Sequence, residues 1–263
     1  MLLQLHEWGD PGAPPVVCLH GVSAHGRRFR KLAEERLGHR FRVLAPDLRG
    51  HGTSGWEPPW TIATHVHDVL ETLDDAGVRS ADWIGHSFGG RLLLELAAHE
   101  PGRIERAVLL DPAIQLLPHV GFDFAELARA DHAYDATEDT IAERLESGAP
   151  TPREYLEEEN REHLVQHPDG KFRFRHCQAA VVSIYGELCT PAPAPETLRV
   201  PTLLVHAGEF GLVRDEQLEE YERALGERLQ VVEVPGGHMV YWDAFEQTAD
   251  AIDEFLENPR PQA

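Results

Sequence analysis

Basic charge is what this sequence has least of. Its 263 residues hold 24 lysines and arginines against 45 aspartates and glutamates, and Lys31 and Lys171 are the only lysines. The formal charge of −21 repels phosphate backbones and anionic lipid. That argues against nucleic-acid and membrane partners, and against highly anionic substrates unless a local basic pocket receives them. Cysteine is also scarce. Cys18, Cys177 and Cys189 show no metal-ligand spacing, and any disulfide would leave one over, so reduced thiols are expected. Cys18 lies in an apolar run and reads as a small core residue. No apolar run approaches the roughly 18 residues of a membrane helix. The first seven residues have neither a basic start nor an apolar stretch, so a cytoplasmic chain with no secretory signal is expected. There is no internal repeat, and no oligomeric state is specified.

What is present alternates. Residues 2–8 read as an opening strand, closed by the turn Gly9-Asp10-Pro11-Gly12. Residues 15–19 form a continuous apolar run, as a strand buried on both faces would. A helix over 24–37, a strand over 41–46 and a helix over 61–76 follow; Ile62, Val66, Val69, Leu70 and Leu73 share one face of the second helix. Strands at 81–84, 104–110, 200–207 and 229–234 and helices at 91–98, 215–225 and 243–256 continue the rhythm. Such alternation predicts an α/β fold: a mostly parallel central sheet with helices on both faces. The rhythm is lost over 113–198. That segment predicts a cap of several helices inserted into a core formed by residues 1–112 and 199–263.

The strand at 81–84 runs into Gly85-His86-Ser87-Phe88-Gly89 and then a helix. Gly-x-Ser-x-Gly between strand and helix is a nucleophile elbow, a turn so sharp that its flanks must be small. A serine hydroxyl needs a base to take its proton, so an elbow serine demands a histidine. Of 16 histidines, His238 in Pro235-Gly236-Gly237-His238 follows the last strand, at the carboxyl end of the sheet where open α/β sheets place their sites. An oxyanion formed on attack needs preorganised donors. Phe88 N–H follows the nucleophile directly, and Val22 N–H lies on the loop after the strand at 15–19.

Together His20-Gly21, Asp47-Leu48-Arg49-Gly50-His51-Gly52-Thr53-Ser54, Gly85-His86-Ser87-Phe88-Gly89-Gly90 and Gly236-Gly237-His238 resemble the α/β-hydrolase superfamily in its single-domain capped form. The resemblance covers nearly the whole chain except the cap and implies a serine hydrolase with no cofactor. Residues 2–8 match the family's second strand, so the first is short or missing. The usual acid position, Gly208-Glu209-Phe210-Gly211, has no aspartate. Some members take the acid from the end of the preceding strand, where this chain has Asp111. Asp111 is therefore the expected third member of the triad, with Glu209 the alternative.

The expectation is an ester hydrolase acting on a small, mainly apolar substrate through Ser87, His238 and Asp111. A lactonase, carbon–carbon bond hydrolase, amidase or cofactor-free haloperoxidase would use the same triad, and a slow-turnover ligand sensor the same pocket. Ser23, His25, Phe122, Phe124 and Tyr241 are pocket candidates, with Arg91 and Trp242 as further edge residues. Gly50-His51-Gly52-Thr53-Ser54-Gly55 fits a dinucleotide fingerprint, but Trp56-Glu57-Pro58-Pro59 follows where a helix should open. Glu159, His163 and His167 are spaced by four, as metal ligands on one helix face would be. A charged, solvated cap helix accounts for them better, and no metal is expected.

Overall fold

A computed structural model describes residues 1–148 and 150–257. Residue 149, assigned above to the cap, and residues 258–263, assigned to the core, lie outside the described residues. The main sheet has seven strands: β1 (Leu5–Trp8), β2 (Pro15–Leu19), β3 (Arg42–Pro46), β4 (Ala81–His86), β5 (Ile104–Leu110), β8 (Thr202–Ala207) and β9 (Leu229–Val234). Their order is β1-β3-β2-β4-β5-β8-β9. Only β1 runs antiparallel, paired with β3 at the sheet edge. Strands β2, β4, β5 and β8 are almost wholly buried, which explains their unbroken apolar runs.

Between β2 and β3 the expected single helix is a composite. A 3₁₀ turn (Gly26–Phe29) leads into α1 (Arg30–Leu32) and then a π-helical run (Ala33–Leu37). Helix α2 (Ile62–Asp75) starts where Thr61 accepts a hydrogen bond from Thr64 N–H at 3.2 Å, an N-cap. It stops before Gly77, whose φ of +75° suits glycine. Helix α3 (Phe88–His99) follows β4, and α8 (Asp215–Leu225), α9 (Val240–Asp243) and α10 (Phe245–Glu257) complete the layers. One apolar cluster, around Leu19, Trp83, Phe88 and Leu92, lies on one side of the sheet. The other, around Phe29, Ile84, Tyr241 and Ile252, lies on the opposite side. No helix among the described residues is long and apolar enough to cross a membrane.

Residues 113–198 add no strand to the main sheet. They contain α4 (Pro118–Arg129), α5 (Thr137–Glu146), α6 (Arg153–His163) and α7 (Gln178–Glu187). A two-stranded hairpin, β6 (Leu164–Gln166) with β7 (Phe172–Phe174), lies between α6 and α7 and was not expected from the sequence. Helix α6 is not solvated on all sides either. Its acids meet the basic run after β2 in antiparallel order: Arg27 with Glu162, Arg28 with Glu159, Arg30 with Glu158 and Lys31 with Glu154. Glu159 and His163 are buried, and His167 lies beyond the helix in the hairpin turn. One guanidinium anchors both ends of the segment. Arg91 on α3 is 1% exposed and donates to the carbonyls of Ile114, Thr190 and Pro191.

Candidate active site

The chain leaves β2 toward β3 on one side and returns to β4 on the other, so the switch point of the sheet lies between the carboxyl ends of β2 and β4. Gly21 and Ser87 meet there: a Cβ on Gly21 would stand 2.9 Å from Ser87 Cβ. The turn itself requires glycine. A Cβ on Gly85 would lie 2.5 Å from the Gly89 carbonyl oxygen, and one on Gly89 would lie 2.1 Å from that of Leu19. Ser87 adopts φ 53° and ψ −115°, a conformation that non-glycine residues rarely hold. Among the described residues only Ser23, Ser87 and Asp111 share a positive φ without being glycine. Strain of this kind gathers at functional sites.

His238 sits on the loop between β9 and α9. Its Nδ1–H donates to Asp111 Oδ2 at 2.5 Å; the carboxylate only accepts, so the proton belongs to the ring. Asp111 ends β5, is wholly buried, and accepts from Ala207 N–H at 3.2 Å through its other oxygen. Glu209 is exposed on the rim of the cavity and has no hydrogen bond to His238 among the described residues. Its neighbour Phe210 stacks on the His238 ring instead, with centroids 5.0 Å apart. Ser87 and His238 line one cavity of about 1030 Å³, and no hydrogen bond joins them among the described residues. Bonds of this type tighten when substrate is bound.

The other expected residues fall on both sides of the cavity wall. Val22 and Phe124 line it, and so does Trp242. Phe88 opens α3, so its N–H has no intrahelical acceptor and is left for a ligand. Phe122 is 64% exposed and points away, because two residues along a helix turn the side chain by about 200°. Tyr241 is buried on the far side, stacked on Phe29 at 4.9 Å. Ser23 occupies a tight turn and gives its N–H to His51 Nε2 at 3.1 Å. His25 shares a hydrogen bond with Glu159 Oε2 at 2.9 Å. None of these four lines the cavity, so they are corrected from pocket candidates to structural residues.

His86, inside the elbow, has a positioning role that the motif did not suggest. Its Nε2–H donates to the His238 carbonyl at 2.9 Å, tying the His238 loop to the Ser87 turn. Burial holds its imidazole well below the ordinary range, so it stays neutral. His20 and His51 likewise serve as neutral braces. His20 Nε2 accepts from Leu48 N–H at 2.9 Å, and burial pulls His51 down to about 3.

The cavity roof is divided between two helix pairs. From α4 and α7 come Phe124 and Tyr185, with Leu188 just beyond; from α5 and α6 come Thr140, Glu143, Arg144, Glu159 and Asn160. Arg28 reaches the same wall, grips Glu159 with Nε and Nη2, and lies 5.2 Å over the Trp242 ring. Burial alone would push the Glu159 carboxyl up, but Arg28 and then His25 beside it hold it well below the usual carboxylate range. A cavity of this size accommodates a medium-sized organic molecule, with an apolar part under one helix pair and a polar part under the other.

Residues 14–245 match the family described as alpha/beta hydrolase fold. Lipase LipV of Mycobacterium tuberculosis is 33% identical over 245 residues, covering 91% of this chain and 93% of the relative. The sn-1-specific diacylglycerol lipase ABHD11 of Mus musculus is 28% identical over 265 residues, covering 94% and 82%. Among solved structures, that of E-2-(acetamidomethylene)succinate hydrolase superposes with a TM-score of 0.88 at 23% identity, covering 97% of this chain and 95% of the other.

Proposed function

The chain belongs to the α/β-hydrolase family, and from that membership we propose that it is a serine ester hydrolase whose triad is Ser87, His238 and Asp111. One observation carries the reading. The His238–Asp111 hydrogen bond orients the imidazole on the cavity that also receives the strained Ser87 turn.

Ser87 Oγ attacks the ester carbonyl while His238 Nε2 takes its proton. Asp111 keeps the proton on Nδ1 and stabilises the imidazolium that forms. The N–H groups of Val22 and Phe88 receive the carbonyl oxygen as it becomes an anion. His238 then returns the proton to the departing alkoxide, leaving an acyl group on Ser87. Water, deprotonated by His238, attacks that acyl group, and the carboxylic acid leaves with Ser87 restored. No cofactor enters these steps. The apolar part of the ester lies under α4 and α7, and residues 113–198 act as a cap that sets substrate range.

Ser87→Ala tests the central claim. The variant should lose hydrolysis of short aryl esters and labelling by a fluorophosphonate while its melting temperature stays near that of the parent. Full turnover in the pure, folded variant would remove Ser87 as nucleophile.

A further inference from the structure

A second cavity, of about 410 Å³, opens at the seam between the core and the inserted segment. The core lines it with His6, His25 and Arg27, and the insertion with Arg161, His163 and Arg175. In a chain of net charge −21, this is a local gathering of cations. Its two carboxylates are already engaged. Asp47 accepts from Gly26 N–H, Thr53 N–H and His6, and Glu162 pairs with Arg27 at 2.9 Å. The guanidiniums of Arg161 and Arg175 have no partner among the described residues.

The back wall holds a buried imidazole. His163 is 1% exposed, and neither of its ring nitrogens has a partner. Its ring is fixed by stacking on His25 at 4.5 Å and on Phe174 at 5.8 Å. Burial keeps the imidazole neutral, so one nitrogen carries a proton and the other a lone pair. His163 therefore gives the cavity a fixed, uncharged back wall. Metal spacing is found elsewhere among the described residues, at His67, Asp68 and Glu71, none of which lines this cavity.

We propose that the seam cavity binds a phosphate group, free or as a small phosphomonoester, between the Arg161 and Arg175 guanidiniums. Two guanidiniums without carboxylate partners attract an anion, and their planar forks match phosphate oxygens. The volume exceeds that of a bare phosphate and falls within the range of small-ligand sites. Because core and insertion each supply part of the wall, the ligand fastens one to the other. His25 carries the connection onward, since its partner Glu159 stands in the catalytic cavity wall.

The test is isothermal titration of the full chain with sodium phosphate and, separately, glycerol 1-phosphate, at constant ionic strength in chloride buffer. One equivalent should bind per chain. Arg161→Gln and Arg175→Gln should each weaken binding about tenfold or more, since each removes charge-assisted hydrogen bonds. Equal affinity for the two ligands assigns the site to free phosphate; tighter binding of the ester assigns it to a phosphomonoester. Neither arginine lines the catalytic cavity, so circular dichroism and turnover of a phosphate-free aryl ester verify that the variants are folded. A wild-type titration no different from chloride, or parental affinity in both variants, overturns the proposal.

Discussion

Asp111→Asn is the perturbation that tests the proposed triad most directly. The Asp111 side chain is wholly buried, with one oxygen on Ala207 N–H and the other on His238 Nδ1–H. An asparagine of nearly equal volume can keep its carbonyl oxygen on Ala207. Its NH₂ group then faces His238 Nδ1 and donates to it. The ring proton is driven to Nε2, where a base must have its lone pair, so the dominant tautomer cannot accept from Ser87. The same exchange in a trypsin-type triad costs roughly 10⁴ in kcat, and a loss of about 10³–10⁴ is expected here. At 1.36 kcal/mol per decade that is about 4–5.5 kcal/mol of transition-state stabilisation. Stability should change far less, because the exchange keeps the side-chain volume and opens no cavity. Glu209→Gln, on the exposed rim, should change kcat by less than about twofold. The assay is steady-state hydrolysis of a p-nitrophenyl ester, normalised by fluorophosphonate titration of active sites, with thermal unfolding in parallel. If Asp111→Asn stays within about tenfold of the parent while Glu209→Gln is crippled, the acid is Glu209 and the geometric argument fails.

Three further outcomes are expected. Gly89→Ala places a Cβ against the Leu19 carbonyl and should cost about 1–3 kcal/mol or more, together with fluorophosphonate labelling; an unchanged melting curve would show that the elbow is slack. Phe124→Ala should shift preference toward longer acyl chains in a p-nitrophenyl ester series, whereas Phe122→Ala should leave the profile unmoved; equal effects would contradict the cavity wall described above. Burial draws His51 down to about 3 and His65 and His176 to about 4, from an ordinary 6.5. Between those values the unfolded chain binds more protons than the folded one. The stability gained by keeping these rings neutral is therefore whole above about pH 6.5 and lost as the pH falls toward about 4. His65→Leu should raise the melting temperature relative to the parent by more at about pH 5 than at about pH 7.5, and an equal difference at both would refute the linkage.

Much of the site was legible in the sequence because sterics left little choice. Only glycine fits where a Cβ would strike a neighbouring backbone, so the elbow around Ser87 declared itself. Strands β2, β5 and β8 were readable from buried apolar runs that depend on no distant partner. Phe122 and Phe124 could have been separated by helical phase alone. The hairpin of β6 and β7 had a signal in Asp169-Gly170, with Gly170 at φ +83°, but three-residue strands are too short to show alternation. The burial of Glu159 and His163 had no local signal. A run of carboxylates reads as solvated until Arg28 and His25, more than 120 residues earlier, are seen to meet it. His86 was similarly opaque, since its partner is a carbonyl 152 positions away.

The grip of Arg91 on Ile114, Thr190 and Pro191 has a consequence for inheritance. Besides the ion pairs along α6, the segment that roofs the cavity has its two ends posted to the helix behind Ser87. With its ends already held together, an added or deleted turn between the posts costs little in loop closure and transmits little force to Ser87. Roof and floor can then change at different rates. A lineage, or an engineer, can exchange everything between Ile114 and Thr190 as one cassette and pass on unaltered the turn beneath it.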